Sequence, residues 1–153
     1  MADSTLEQQL EQDIKAALLS GDKRRATTLR GLKAVLLNVK VATGKRDSGL
    51  TDGEVLPVFG KESKKRQESA DLYKQGGDQT RAEAELTEKA IIDAYLPAQL
   101  GEDEIAKMVD EVIAQTGAQG PQGMGQVIGQ VKAKAGATAD GAVIARIAKE
   151  KLQ

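Results

Sequence analysis

The 153-residue chain has neither histidine nor cysteine. Without cysteine there is no disulfide, thiolate nucleophile or sulfur-ligated metal. Without histidine the commonest general base and the commonest metal ligand are missing, so Ser-His-Asp, Cys-His and zinc-hydrolase chemistry are excluded. Aromatics are nearly absent as well: Phe59, Tyr73 and Tyr95 are the only three. A core must therefore be built from Leu, Ile, Val, Ala and Met, which suits close-packed helices better than a sheet sandwich. No run of about 18 apolar residues exists, so no membrane span is expected. Asp3, Glu7, Glu11 and Asp13 lie where a secretory signal would be apolar, and the expected location is cytoplasmic. No residue pattern calls for a cofactor or a metal.

What is present is charge, unevenly placed. The formal net charge is −1, yet residues 21–75 sum to +6, residues 76–116 to −7 and residues 117–153 to +3. Basic zones flank an acidic one. Either the zones attract one another across the fold, or one of them is the footprint of a charged ligand.

Apolar periodicity predicts an all-α fold with seven helical segments. Leu6, Leu10, Ile14 and Leu18 recur at i+4 and end at Ser20-Gly21. Asp22 is placed to cap a second helix with the stripe Leu29, Leu32, Leu36 and Val39, closed by Thr43-Gly44. Residues 45–49 read as a loop. Thr51-Asp52-Gly53-Glu54 matches a capping box, with Leu50 placed to staple onto Val55. The third helix then runs from about 52 to Gln75 with Leu56, Phe59, Ser63, Ala70 and Tyr73 inward. A fourth, Asp78 to Tyr95, completes an antiparallel hairpin across Gly76-Gly77.

Pro97 disfavours helix at Leu96, and a domain boundary is expected there, separating residues 1–96 from 97–153. Beyond it, Glu102, Asp103 and Glu104 load a helix N-terminus. Ile105, Met108, Val109, Val112 and Ile113 form its stripe. Pro121 precedes a short helix carrying Met124, Val127, Ile128 and Val131. A last helix, capped by Thr138 or Asp140, buries Val143, Ile144, Ile147 and Leu152.

Catalytic candidates are few. Glu83 and Glu85 lie on different helical faces, and Glu85 with Glu88 lacks a metal motif; no catalytic residue is assigned. Gly125-x-x-x-Gly129 lacks the Gly-Lys-Ser/Thr ending of a phosphate loop. A helical glycine costs about 1 kcal/mol relative to alanine. Two therefore need a reason: close packing of another helix, or access for a partner such as RNA. Lys61, Lys64, Lys65 and Arg66 place four bases within six residues. They form either a solvated face, with pairs Lys64–Glu68 and Glu62–Arg66, or a phosphate-contacting stripe. With so few aromatics to stack bases, any RNA contact is directed at shape and backbone.

Several separated stretches together resemble the YqeY family and the tail of GatB, the tRNA-handling subunit of tRNA-dependent amidotransferases. They are Thr28-Leu29-Arg30 with Leu32 and Asn38, Lys61 through Glu68, Tyr95-Leu96-Pro97-Ala98-Gln99-Leu100, and a C-terminal block of Gly125, Lys132, Gly136 and Ala139-Asp140-Gly141. Asp78 departs from the pattern, standing where the family often has a basic residue. The resemblance implies an N-terminal helical domain with a long hairpin and a C-terminal three-helix domain like the GatB tail. It also implies kinship with carbon–nitrogen ligases that use glutamine as amido-N-donor, although the residues provide no active site for that reaction. The implied role is a tRNA-binding helper, with Lys132, Lys134 and Lys149 as phosphate contacts and Gly125 and Gly129 permitting close approach. The alternative is an adaptor for a protein of the translation or stress-response apparatus.

Overall fold

The computed structural model describes residues 4–153; Asp3, part of the acidic N-terminal run, lies outside the described residues. Among those described there are seven α-helices and no strand, and the all-α expectation is met. Contacts divide the chain into two compact units, one ending at Leu96 and the other spanning Pro97–Gln153.

In the first unit, α1 (Leu6–Ser20) opens with a capping box between Thr5 and Gln8 and stops at Gly21, whose φ of 77° is left-handed. The carboxylate of Asp22 accepts from the Arg25 N–H and starts α2 (Lys23–Thr43). Thr51 and Glu54 form the capping box of α3 (Asp52–Gln75). The Asp52 carboxylate also accepts the N–H of Leu6, so the starts of α1 and α3 are joined. Gly49 sits at φ 77°, with Glu7 so close that a Cβ would lie 2.9 Å from its Oε2. That same oxygen accepts the Leu50 N–H. The fourth helix is shorter than its apolar pattern suggests: α4 is Gln79–Asp93. Asp78 is its cap, bonding the Arg81 N–H, and Tyr95 belongs to the turn before Pro97.

The core joins Leu10 and Ile14 of α1, Leu29, Leu32 and Leu36 of α2, Leu50, Val55 and Phe59 around α3, and Ile92 of α4. Leu50 and Val55 are both buried in it, whereas Leu56 and Tyr73 are only half-buried. Residues 60–90 contribute nothing to this cluster, yet α3 continues to Gln75 and α4 begins at Gln79. The distal hairpin is thus a two-helix arm, with Ala70 and Ala82 as its fully buried apolar contacts. Arg81 lies over the Tyr73 ring near its tip, 5.8 Å from the centroid.

The second unit has no aromatic residue. Its helices are α5 (Glu102–Thr116), α6 (Met124–Ala135) and α7 (Gly141–Leu152), with 3-10 turns at Pro121–Gly123 and Gly136–Thr138. Ile105, Val109 and Val112 meet Val127, Val131, Ile144, Ile147 and Leu152 in an aliphatic core. Asp140, not Thr138, caps α7: its carboxylate accepts from Ala142, while the Thr138 hydroxyl donates back to the Ala135 carbonyl.

Among the described residues, the Thr28 hydroxyl is buried without a hydrogen-bond partner. An orphaned buried hydroxyl costs about 1–3 kcal/mol. Thr28→Val keeps the shape and removes the orphan, so a gain of about 1 kcal/mol is expected in denaturant unfolding. A loss would show that the hydroxyl has a partner in solution.

Candidate functional site

The inward stripe of α6 is Val127, Val131 and Ala135, with Met124 and Ile128 packed at its edge. Helical spacing then turns Gly125 and Gly129 outward, one turn apart. Both are exposed, and a Cβ built on either meets no atom within 4 Å. Among the described residues, no neighbouring helix packs against these glycines. The result is a strip of bare backbone on an exposed helix face.

Three lysines were expected beside that strip, and the structure separates them. The Lys132 side chain runs over the start of α7: a Cβ on Gly141 would lie 2.8 Å from its Cε and 3.1 Å from its Nζ. Lys134, two residues on and so roughly 200° around the helix, leans the other way and donates to Gln115 of α5 at 3.3 Å. Lys149 is exposed on α7, about 12 Å along the axis from Gly141. Two other bases of this unit are engaged. Arg146 pairs with Glu102 and Glu150, and Lys151 pairs with Asp110 at 2.9 Å. Among the described residues, Lys107, Lys132 and Lys149 are the bases of this unit with no ion pair or hydrogen bond.

The α3 stripe is split in a similar way. Lys61, Lys64 and Lys65 are exposed, but Arg66 is half-buried and bonded to Glu62 at 2.6 Å and Glu88 at 3.4 Å. Lys65 also reaches Glu62, at 3.2 Å. Burial pushes the Glu62 carboxyl up, but the Arg66 guanidinium and Lys65 ammonium outweigh it and hold the group below its ordinary value. Next to this cluster the Ser63 hydroxyl donates to Asp93, whose other oxygen is held by Lys89 at 2.6 Å. Sequence reasoning found the Glu62–Arg66 pair but missed its burial. The signal was available: Glu62 is three residues beyond Phe59 and shares its inward face.

Among the described residues no group of three or more acids is gathered as a metal site, and no helix is long and apolar enough to cross a membrane.

A family model described as "Yqey-like protein" matches residues 7–152. The chain is also 32% identical over 89 residues to "Altered inheritance of mitochondria protein 41, mitochondrial" of Eremothecium gossypii. That match covers 58% of this chain and 48% of the fungal protein, so it spans about half of that relative's length.

Two outcomes follow for stability. Gly129→Ala places a methyl in open space in mid-helix and is expected to stabilise the C-terminal unit by about 1 kcal/mol. A destabilised variant in thermal melts would mean the strip is covered. Because Glu62 is depressed in the folded state, its contribution is full above the ordinary carboxyl value of 4.5 and is lost as pH falls through the lower, folded value. Glu62→Gln should cost about 1–3 kcal/mol at neutral pH, with the gap to the parent closing on acidification. A gap that stays constant with pH would show that the pair is not responsible.

Proposed function

Since the chain belongs to the YqeY-like protein family, which is related to the tail domain of GatB, we propose that it is a tRNA-binding helper without an active site of its own. The observation that carries this reading is the open glycine strip of α6. Gly125 and Gly129 lie on an exposed helix face with no described residue against them. A helix retains such glycines at a cost in stability, and what they offer in return is room for a bulky partner to lie directly on the backbone. Lys132 borders the strip and Lys149 lies further along α7, both without an internal partner among the described residues. They supply the charge that a sugar–phosphate chain needs. The C-terminal unit has no aromatic for base stacking, which favours a folded RNA recognised through shape and phosphates.

The exposed Lys61, Lys64 and Lys65 of α3 are a secondary candidate surface on the first unit. Lys65 also reaches Glu62, and Arg66 is half-buried with its guanidinium held by Glu62 and Glu88. The adaptor reading draws support from a different feature, the α3–α4 arm, where Leu72 is 67% exposed near the tip. A pull-down from nuclease-treated lysate separates the two readings. A translation factor retained in full without RNA favours the adaptor.

Filter binding against bulk tRNA tests the RNA reading directly. Affinity should fall steeply as salt rises, and Lys132→Ala with Lys149→Ala should flatten the logarithmic salt slope by about two. Lys134→Ala, which removes a lysine tied to Gln115, should do less. Gly129→Leu should weaken binding while the fold is retained. Absence of binding at low salt sinks the proposal.

A further inference from the structure

The first unit has another open surface, formed by α1 and α2. Glu11 pairs with Lys33 at 2.6 Å and Glu7 with Lys40 at 2.9 Å. Numbers rising along one helix and falling along the other make the two helices antiparallel. Between them is a groove with room for about 260 Å3, floored by Leu10 and Leu36. One wall, on α1, is acidic; the other, on α2, is basic. Beside the groove stands an apolar ridge, Leu37 at 43% exposure and Val41 at 60%. These two are one turn apart on α2, and no other described residue covers them.

We propose that this face binds a second copy of the chain, forming a two-fold dimer through α1 and α2. The charge pattern selects both the occupant and the axis. A two-fold axis parallel to the helices sets α1 of one copy against α2 of the other, so an acidic wall faces a basic one. An axis across the helices would set acid against acid and base against base. Because Glu7 lies level with Lys40 and Glu11 with Lys33 within one chain, the parallel axis brings Glu7 of the second copy level with Lys40 and its Glu11 level with Lys33. Each lysine then sits between two glutamates and each glutamate between two lysines. The same operation sets each Leu37–Val41 ridge against α1 of the other copy and makes all neighbouring helices antiparallel, the packing of a four-helix bundle. The proposal is independent of RNA binding, since it uses no residue of the C-terminal unit.

Sedimentation velocity and light scattering on the full chain test it. A dimer that dissociates on dilution is expected, with a dissociation constant below about 100 µM. Leu37→Glu, at a position already exposed, should weaken it at least tenfold with an unchanged melting curve. Lys33→Glu and Glu11→Lys should each be monomeric alone, because each sets like charges against each other twice. Mixed together they should form a heterodimer, since every cross-chain pair is again opposite in sign. A wild-type chain that stays monomeric at several times that concentration overturns the proposal and leaves the groove to a different partner. A dimer indifferent to Leu37→Glu, or a mixture that shows no preference for the heterodimer, overturns it too.

Discussion

The hydroxyl of Tyr95 donates to Asp13 across 82 positions of chain, and the Tyr95 ring meets Phe59 edge-on with centroids 5.5 Å apart. Two of the three aromatic residues are thus used in one contact, which ties α1, α3 and the end of α4 together. Burial, and then the Asp13 carboxylate, push the phenol above its ordinary range, so it remains a donor wherever the fold persists. With the ring fixed, the last turn can close. Tyr95 and Leu96 donate their N–H groups to the Ile92 and Asp93 carbonyls, satisfying the end of α4 just before a proline that has no N–H to give. The aliphatic core around Leu29, Leu32 and Ile92 lies behind this contact.

The charge zones prove to be largely internal devices. In the first unit the acidic start of the chain meets the basic second helix through Glu7–Lys40 and Glu11–Lys33, and Arg66 crosses to Glu88. In the second, Arg146 and Lys151 are held by Glu102 and Asp110 on α5. The exposed ones among them, such as Glu11–Lys33 and Glu102–Arg146, contribute at most about 1 kcal/mol each. Their more consequential effect is subtraction: they withdraw Arg146 and Lys151 from any ligand, whereas Lys107, Lys132 and Lys149 have no such partner among the described residues.

Local features were the legible part of this sequence. Helical stripes such as Leu6–Leu10–Ile14 and caps such as Thr51–Glu54 depend on residues within a few positions of one another, and they form as the pattern predicts. The end of α4 was misjudged because Ala94 and Tyr95 continue an apolar pattern while their backbone has already turned. Pro57 lies inside α3, a position at which its ring removes one helical bond, yet the stripe on either side of it carries the helix through, as the pattern predicts. The lysines illustrate the harder limit. Lys132 and Lys134 are neighbours in sequence, yet one rests on α7 and the other on α5. Which neighbour each meets depends on how three helices are packed, and no spacing within α6 encodes that. Gly125 and Gly129 left two readings open for the same reason: whether a helix lies over them is a tertiary fact.

The α3–α4 arm has a consequence for motion. Residues 60–90 stand outside the aliphatic core, and the arm's fully buried apolar groups are two alanine methyls, supported by a cation–π contact near the tip and charged pairs toward the base. Apolar burial dominates the free energy that keeps a segment closed, so the arm's backbone opens at lower cost than the helices beneath it. Its amides around Leu72 to Arg81 exchange with solvent before those around Phe59 and Ile92. The hairpin is therefore a separate cooperative layer, able to bend or fray while the base of the unit stays folded.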